Sequence, residues 1–200
     1  MAVAKVLNHI KISAKDILED YRICVLSRET SLIGRKEVFM GKAKFGIFGD
    51  GKEVPQVAMA RFFRNGDHRS GYYRDQTFMF AIGELTVQQY FAQLFAHTDI
   101  EADPSSAGRL MNSHFATRML DPEGNWLKQT ELKKSSSDIS QTGAQMSRLI
   151  GIAFDSKLYR NNPELGYLKY FYEIGIDVAF VKIVNASTSE GCFFEAVNAA

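Results

Sequence analysis

The stretch Asp177-Val-Ala-Phe-Val-Lys-Ile-Val184 constrains the fold more than any other part of the chain. Its near-continuous Val, Ile and Ala content is the pattern of a strand covered on both faces, as in a parallel α/β sheet. A polar stretch, Asn185-Ala-Ser-Thr-Ser-Glu-Gly191, follows, and then Phe193, Phe194, Ala196, Val197 and Ala200 recur at helical spacing. Strand, polar turn and helix in that order predict an α/β fold with a mostly parallel sheet flanked by helices. The helical spacing runs to Ala200 with no cap, glycine or proline, which reads as the amino-terminal part of a longer polypeptide.

Composition narrows the function classes. Of 200 residues, 46% are hydrophobic and 24% charged, with 24 Lys and Arg against 23 Asp and Glu. That is a globular composition, and it lacks the basic excess of a nucleic-acid binder. The two cysteines, Cys24 and Cys192, lie too far apart for a zinc spacing, and a reducing, cytoplasmic setting is expected. Met1 to Ile12 interleaves Lys5, His9 and Lys11 with apolar residues, so it does not read as a signal peptide. Apolar runs such as Phe78–Ile82 are far too short for a membrane span.

Ser13-x-x-Asp16 ahead of Ile17, Leu18, Tyr21 and Val25 predicts a capped helix to about Glu29, interrupted at Gly34, with a second helical stretch over 35–40. Four glycines between Gly41 and Gly51 predict an irregular loop. Val54–Arg64 reads as a helix with Val54, Val57, Ala58 and Phe62 on one face, Pro55 falling in its first turn. Residues 65–70 read as a polar turn, 75–81 as a short helix, and 87–97 as a helix capped by Thr86. From Thr98 to about Ile139 the chain is polar and aperiodic, a length of loop that is usually functional. Ser140 or Thr142 is expected to cap the next helix; Tyr167–Tyr172 is ambiguous.

Three places carry candidate chemistry. Ligands of parallel sheets bind beyond strand carboxyl ends, so Asn185 is a possible hard-cation ligand, and Ser187, Thr188 and Ser189 offer hydroxyls to phosphate. The same residues serve as ordinary turn caps. Tyr72-Tyr73-Arg74-Asp75 combines aromatics with a guanidinium that can fork onto phosphate oxygens, or forms a plain Arg74–Asp75 surface pair. His114 is a loop histidine suited to proton transfer or to holding a carboxylate, or simply a solvated one. No P-loop, nucleophile elbow or dinucleotide glycine fingerprint is present.

Taken in order, Gly51-Lys52-Glu53-x-x-Gln56-Val57, Tyr73-Arg74-Asp75, His114, Ser140–Gly151, Thr188-Ser-Glu-Gly191 and Phe194-Glu195-Ala196-x-Asn198 resemble the alpha subunit of the thiamine-diphosphate-dependent first component of 2-oxo acid dehydrogenase complexes. The resemblance covers about residues 41–200, and it leaves residues 1–40 as an N-terminal helical extension. It implies a thiamine-diphosphate-binding fold, truncated at its C-terminus, and decarboxylation of a 2-oxo acid with acyl transfer to a lipoyl group. Branched-chain 2-oxoisovalerate is the expected substrate; pyruvate or acetoin, or a noncatalytic assembly module, are the alternatives.

The resemblance also implies roles. Tyr73 and Arg74 would contact the diphosphate, Ser140 and Thr142 the aminopyrimidine, and His114 would be catalytic. Asn185, Ala186 and Ser187 would form the cofactor turn, with Asn185 on Mg2+. Phe45, Phe48 and Tyr73 would line an apolar substrate pocket. A beta subunit or fused beta half, and a lipoyl-bearing acyltransferase, would be the partners. One departure stands out: the family's acidic magnesium turn, usually Gly-Asp-Gly or Gly-Glu-Gly, reads Val184-Asn185-Ala186 here. Asparagine keeps a neutral oxygen but loses the charge, which lowers magnesium affinity.

Overall fold

The structure is a computed structural model that describes residues 12–168 and 177–200. Part of the ambiguous Tyr167–Tyr172 stretch, and all but the last residue of Met1–Ile12, lie outside the described residues.

Helix α1 spans Ala14–Phe39 and opens with the expected capping box: the Ser13 hydroxyl accepts from the Asp16 amide, and the Asp16 carboxylate accepts from the Ser13 amide. It does not stop near Glu29. Gly34 is buried inside the helix, and a Cβ there would stand 2.6 Å from Cε1 of Phe48. The glycine admits an aromatic ring at close range, and tertiary packing outweighs its low helix propensity. The face that α1 buries is also not the one expected. Ile23, Ser27, Thr30 and Ser31 turn inward, while Ile17, Leu18, Tyr21 and Val25 stay exposed.

Helix α2 covers Glu53–Ala60 with Pro55 in its first turn. Only Val57 of its expected face is buried; Val54 and Phe62 are exposed. Strand β1 follows at His68–Tyr72, overlapping the stretch expected to be a polar turn. Helix α3 is Gln76–Ile82, and α4 is Val87–Leu94 with its capping box between Thr86 and Gln89. The long polar segment is largely irregular but ends in strand β2, Lys134–Ile139. Helix α5 is Gln145–Asn161; its N-cap is Ala144, so neither Ser140 nor Thr142 caps it. Strand β3, Ala179–Val181, lies inside the predicted strand but is shorter. A 3-10 turn, Asn185–Ser189, leads to α6, Gly191–Ala199.

The three strands form one parallel sheet in the order β2–β1–β3. Ser70 of β1 stands opposite Ser136 of β2 and Val181 of β3. The α/β architecture with a small parallel sheet agrees with the sequence reading. On one face lies an apolar core of Ile23, Val57, Phe63, Phe78, Ile82, Tyr90 and Phe115 among others. Phe63 meets Phe78 and Phe180 edge-on, with centroids 5.2 and 5.1 Å away. Successive strand residues point to opposite faces. Arg69 therefore looks toward Phe78, while Ser70 donates to the Gln145 carbonyl of α5 on the other side. Among the described residues no helix is long and apolar enough to cross a membrane.

Candidate functional site

All three strands point their carboxyl ends the same way. β1 is in the middle, β2 lies on one side, and the α5 crossover carries the chain to β3 on the other. Such a reversal opens a crevice beyond the strand ends. Residues 73–74, 140–142 and 182–187 leave the sheet at that end, so the two segments expected to share a ligand emerge from adjacent strands at the same end.

The Tyr73 ring lies against Tyr72 at 4.0 Å and stacks on the His114 ring at 6.0 Å. The Arg74 guanidinium sits 4.8 Å above the Tyr73 ring and donates to its hydroxyl at 3.3 Å. Tyr72, and then Arg74, hold the Tyr73 phenol below its ordinary pKa. Burial, more than any other influence, pushes the Tyr72 phenol up. Its hydroxyl reaches Thr142 Oγ1 at 3.4 Å.

His114 is 3% exposed, so the solvated alternative is overturned by packing. Its Nδ1 lies 3.1 Å from the Asn112 carbonyl, an acceptor only, and its Nε2 lies 2.5 Å from the Ser140 hydroxyl. A proton on Nδ1 satisfies the carbonyl, and in that neutral tautomer Nε2 accepts from Ser140. The irregular segment between α4 and β2 delivers this imidazole to the end of β1. Gln93 anchors it by donating to the His114 carbonyl and accepting from the Ser113 amide.

Arg74 itself adopts φ 75°, a left-handed conformation unfavourable for a side chain bearing a Cβ. Gln56 holds it there. Its Nε2 donates to the Arg74 carbonyl at 3.1 Å, and its Oε1 accepts from the Phe78 amide at 2.9 Å. Arg74 makes no ion pair with Asp75, which corrects the surface-pair alternative. Asp75 points inward to a charge cluster, buried except at Lys182, that sequence reasoning missed. Arg69 Nη2 lies 2.7 Å from Asp75 and 3.0 Å from Asp138, and Lys182 Nζ lies 2.5 Å from Asp75. Ser135 accepts from Arg69, and the Phe115 amide donates to Asp138.

Burial opposes the charge on Arg69, but the two carboxylates more than offset it and raise its pKa. Burial likewise pulls the Lys182 ammonium down against Asp75. The cluster is balanced, two cations against two carboxylates, which is how such groups tolerate exclusion of water. Gly71 gives it room: a Cβ there would lie 2.0 Å from Arg69 Cζ and 2.2 Å from Asp138.

Above this neutral floor, Lys52 and Arg74 have no carboxylate within ion-pair distance among the described residues. Lys52 is near enough to act on both the Tyr73 phenol and the Lys182 ammonium. The rim is therefore net positive and suits an anion.

The structure brings Tyr73, Arg74, His114, Ser140 and Thr142 together. It does not bring Phe45 or Phe48 to them: Phe48 packs on Gly34 and under Arg35, and Phe45 lines a separate recess with Leu94 and Met111. Asn185 and Ala186 are exposed, and the Asn185 carbonyl accepts from Thr188 Oγ1. Ser187 is buried, and its hydroxyl, like Gln145 Oε1, has no hydrogen-bond partner among the described residues. Gln145 Nε2 donates to the Lys182 carbonyl, tying α5 to the strand that ends at this turn.

A magnesium ion does not fit this donor set. Magnesium is usually held through one or two carboxylates together with phosphate oxygens and retained waters. The carboxylates beneath the site are bound to Arg69 and Lys182, and no group of three or more His, Cys, Asp and Glu gathers among the described residues. No protein-family model matches the chain, and no curated protein does.

Proposed function

We propose that the chain is an alpha-subunit portion of a thiamine-diphosphate-dependent 2-oxo acid dehydrogenase. It would act on a small 2-oxo acid, 2-oxoisovalerate before pyruvate or acetoin, in the cytoplasm. A beta subunit or fused beta half would complete the site, and a lipoyl-bearing acyltransferase would receive the acyl group. One observation carries this reading. Tyr73-Arg74, His114 and Ser140-x-Thr142, quoted from three distant stretches for their resemblance, meet at the carboxyl end of a parallel sheet under a positive rim.

Bound thiamine diphosphate supplies the carbon nucleophile and electron sink that decarboxylation needs. The chain's own residues have separate tasks. Arg74 donates to diphosphate oxygens from a backbone that Gln56 holds in place. Tyr73 shields one side of the crevice, and Thr142 and Ser187 offer hydroxyls. His114 is poised to move a proton at Nε2, the atom that now accepts from Ser140.

Calorimetric titration with thiamine diphosphate, in the presence of a beta partner, tests the reading. Saturable heat is expected, and Arg74→Ala should lower affinity by about 1.5–3 kcal/mol, the range of a lost charge-assisted hydrogen bond. Absence of binding removes the cofactor from this site. The exposed, uncharged Asn185 favours a second reading, a noncatalytic module that pairs with the beta subunit. Complex formation without cofactor binding is its signature.

A further inference from the structure

We propose that this site holds a diphosphate without a divalent cation, with Lys52 and Arg74 supplying the neutralising charge and Lys182 a further hydrogen-bond donor. The inference rests on the diphosphate reading above. It starts from the disagreement between that ligand and the donor set beside Asn185. A diphosphate carries several negative charges in a small volume. In a pocket of lowered dielectric they must be met by a bound metal or by fixed cations.

This crevice has the second device. Arg74 is set at the end of β1 in a left-handed conformation braced by Gln56, and it has no carboxylate partner among the described residues. Lys52 stands at the entrance of α2, also without one. Lys182 comes from the end of β3 and anchors on Asp75 at 2.5 Å through only one of its three N–H groups. Arg74 and Lys52 thus offer guanidinium and ammonium donors to an anion, and Lys182 its remaining N–H groups.

The test is calorimetry on the whole chain, in the presence of a beta partner, with two probes, inorganic pyrophosphate and thiamine diphosphate, each in EDTA and in excess magnesium. Both probes should bind in EDTA at least as tightly as in magnesium. Lys52→Gln and Arg74→Gln should each weaken binding in EDTA about tenfold, with an unchanged circular-dichroism spectrum. Binding that appears only with magnesium overturns the inference and leaves the cofactor reading standing. Pyrophosphate binding in EDTA without thiamine diphosphate binding overturns the cofactor reading and upholds the inference. If neither probe binds under either condition, both fall.

Discussion

Gly71 is the residue at which one methyl group does most harm. Its Cβ would overlap the Arg69 guanidinium and the Asp138 carboxylate, neither of which can retreat from a buried cluster. Gly71→Ala should cost about 3 kcal/mol or more, read as a lowered urea midpoint with the slope unchanged. Arg69→Met should cost about 3–5 kcal/mol, because it strands the Asp138 carboxylate out of water and leaves Asp75 with Lys182 alone. A loss of under 1 kcal/mol in either variant would show that the cluster relaxes or admits water. At this scale the sequence singled out candidates where chemistry was adjacent, as in Tyr73-Arg74, and where a histidine, His114, stood in a polar stretch. It was silent on Arg69, Asp138 and Lys182. They are separated by up to 113 residues of chain, and an isolated charged side chain reads as solvated until its partners are known.

Among the elements, the helices were legible and two of three strands were not. Capping boxes at Ser13 and Thr86 are local signals and form as read. Ser13→Ala should cost about 1 kcal/mol, with a loss of helical ellipticity to match. Buried parallel strands normally announce themselves by Val and Ile, as the stretch around β3 does, although β3 itself lies at the edge of the sheet and is only half-buried. β1 is His-Arg-Ser-Gly-Tyr and β2 is Lys-Ser-Ser-Ser-Asp-Ile. Their inward side chains are polar because they bond to each other across the sheet. Ser136 Oγ donates to the Arg69 carbonyl, and Arg69 donates to Ser135. No periodicity rule detects a strand whose interior contacts are hydrogen bonds and ion pairs. Gly34 misleads for a related reason, since a residue that usually breaks a helix sits here to let Phe48 approach.

Across the whole molecule, α1 is part of the packing that supports the sheet: Ile23 enters the core and Ser27 bonds Thr77 of α3 at 2.6 Å. A chain beginning at residue 41 should therefore lose cooperative unfolding; a sharp denaturation transition for that fragment would contradict this. At the amino end of the sheet, remote from the proposed site, burial first, and then Lys134, Arg148 and Arg69, depress the His68 pKa to about 4. The unfolded histidine takes up its proton near pH 6.5 and the folded one only near pH 4. Stability from neutral His68 is complete above pH 6.5 and drains away as pH falls toward 4, by about 2–3 kcal/mol. His68→Gln should flatten the urea midpoint across that window; an unchanged slope would exonerate His68.

The buried cluster also bears on the order of events during synthesis. Its members are translated far apart, Lys182 last. Before β3 emerges from the ribosome, Arg69 faces two carboxylates alone and the central strand lacks one neighbour. The nascent amino-terminal half should stay loosely condensed and accessible to chaperones, locking only when the final lysine arrives.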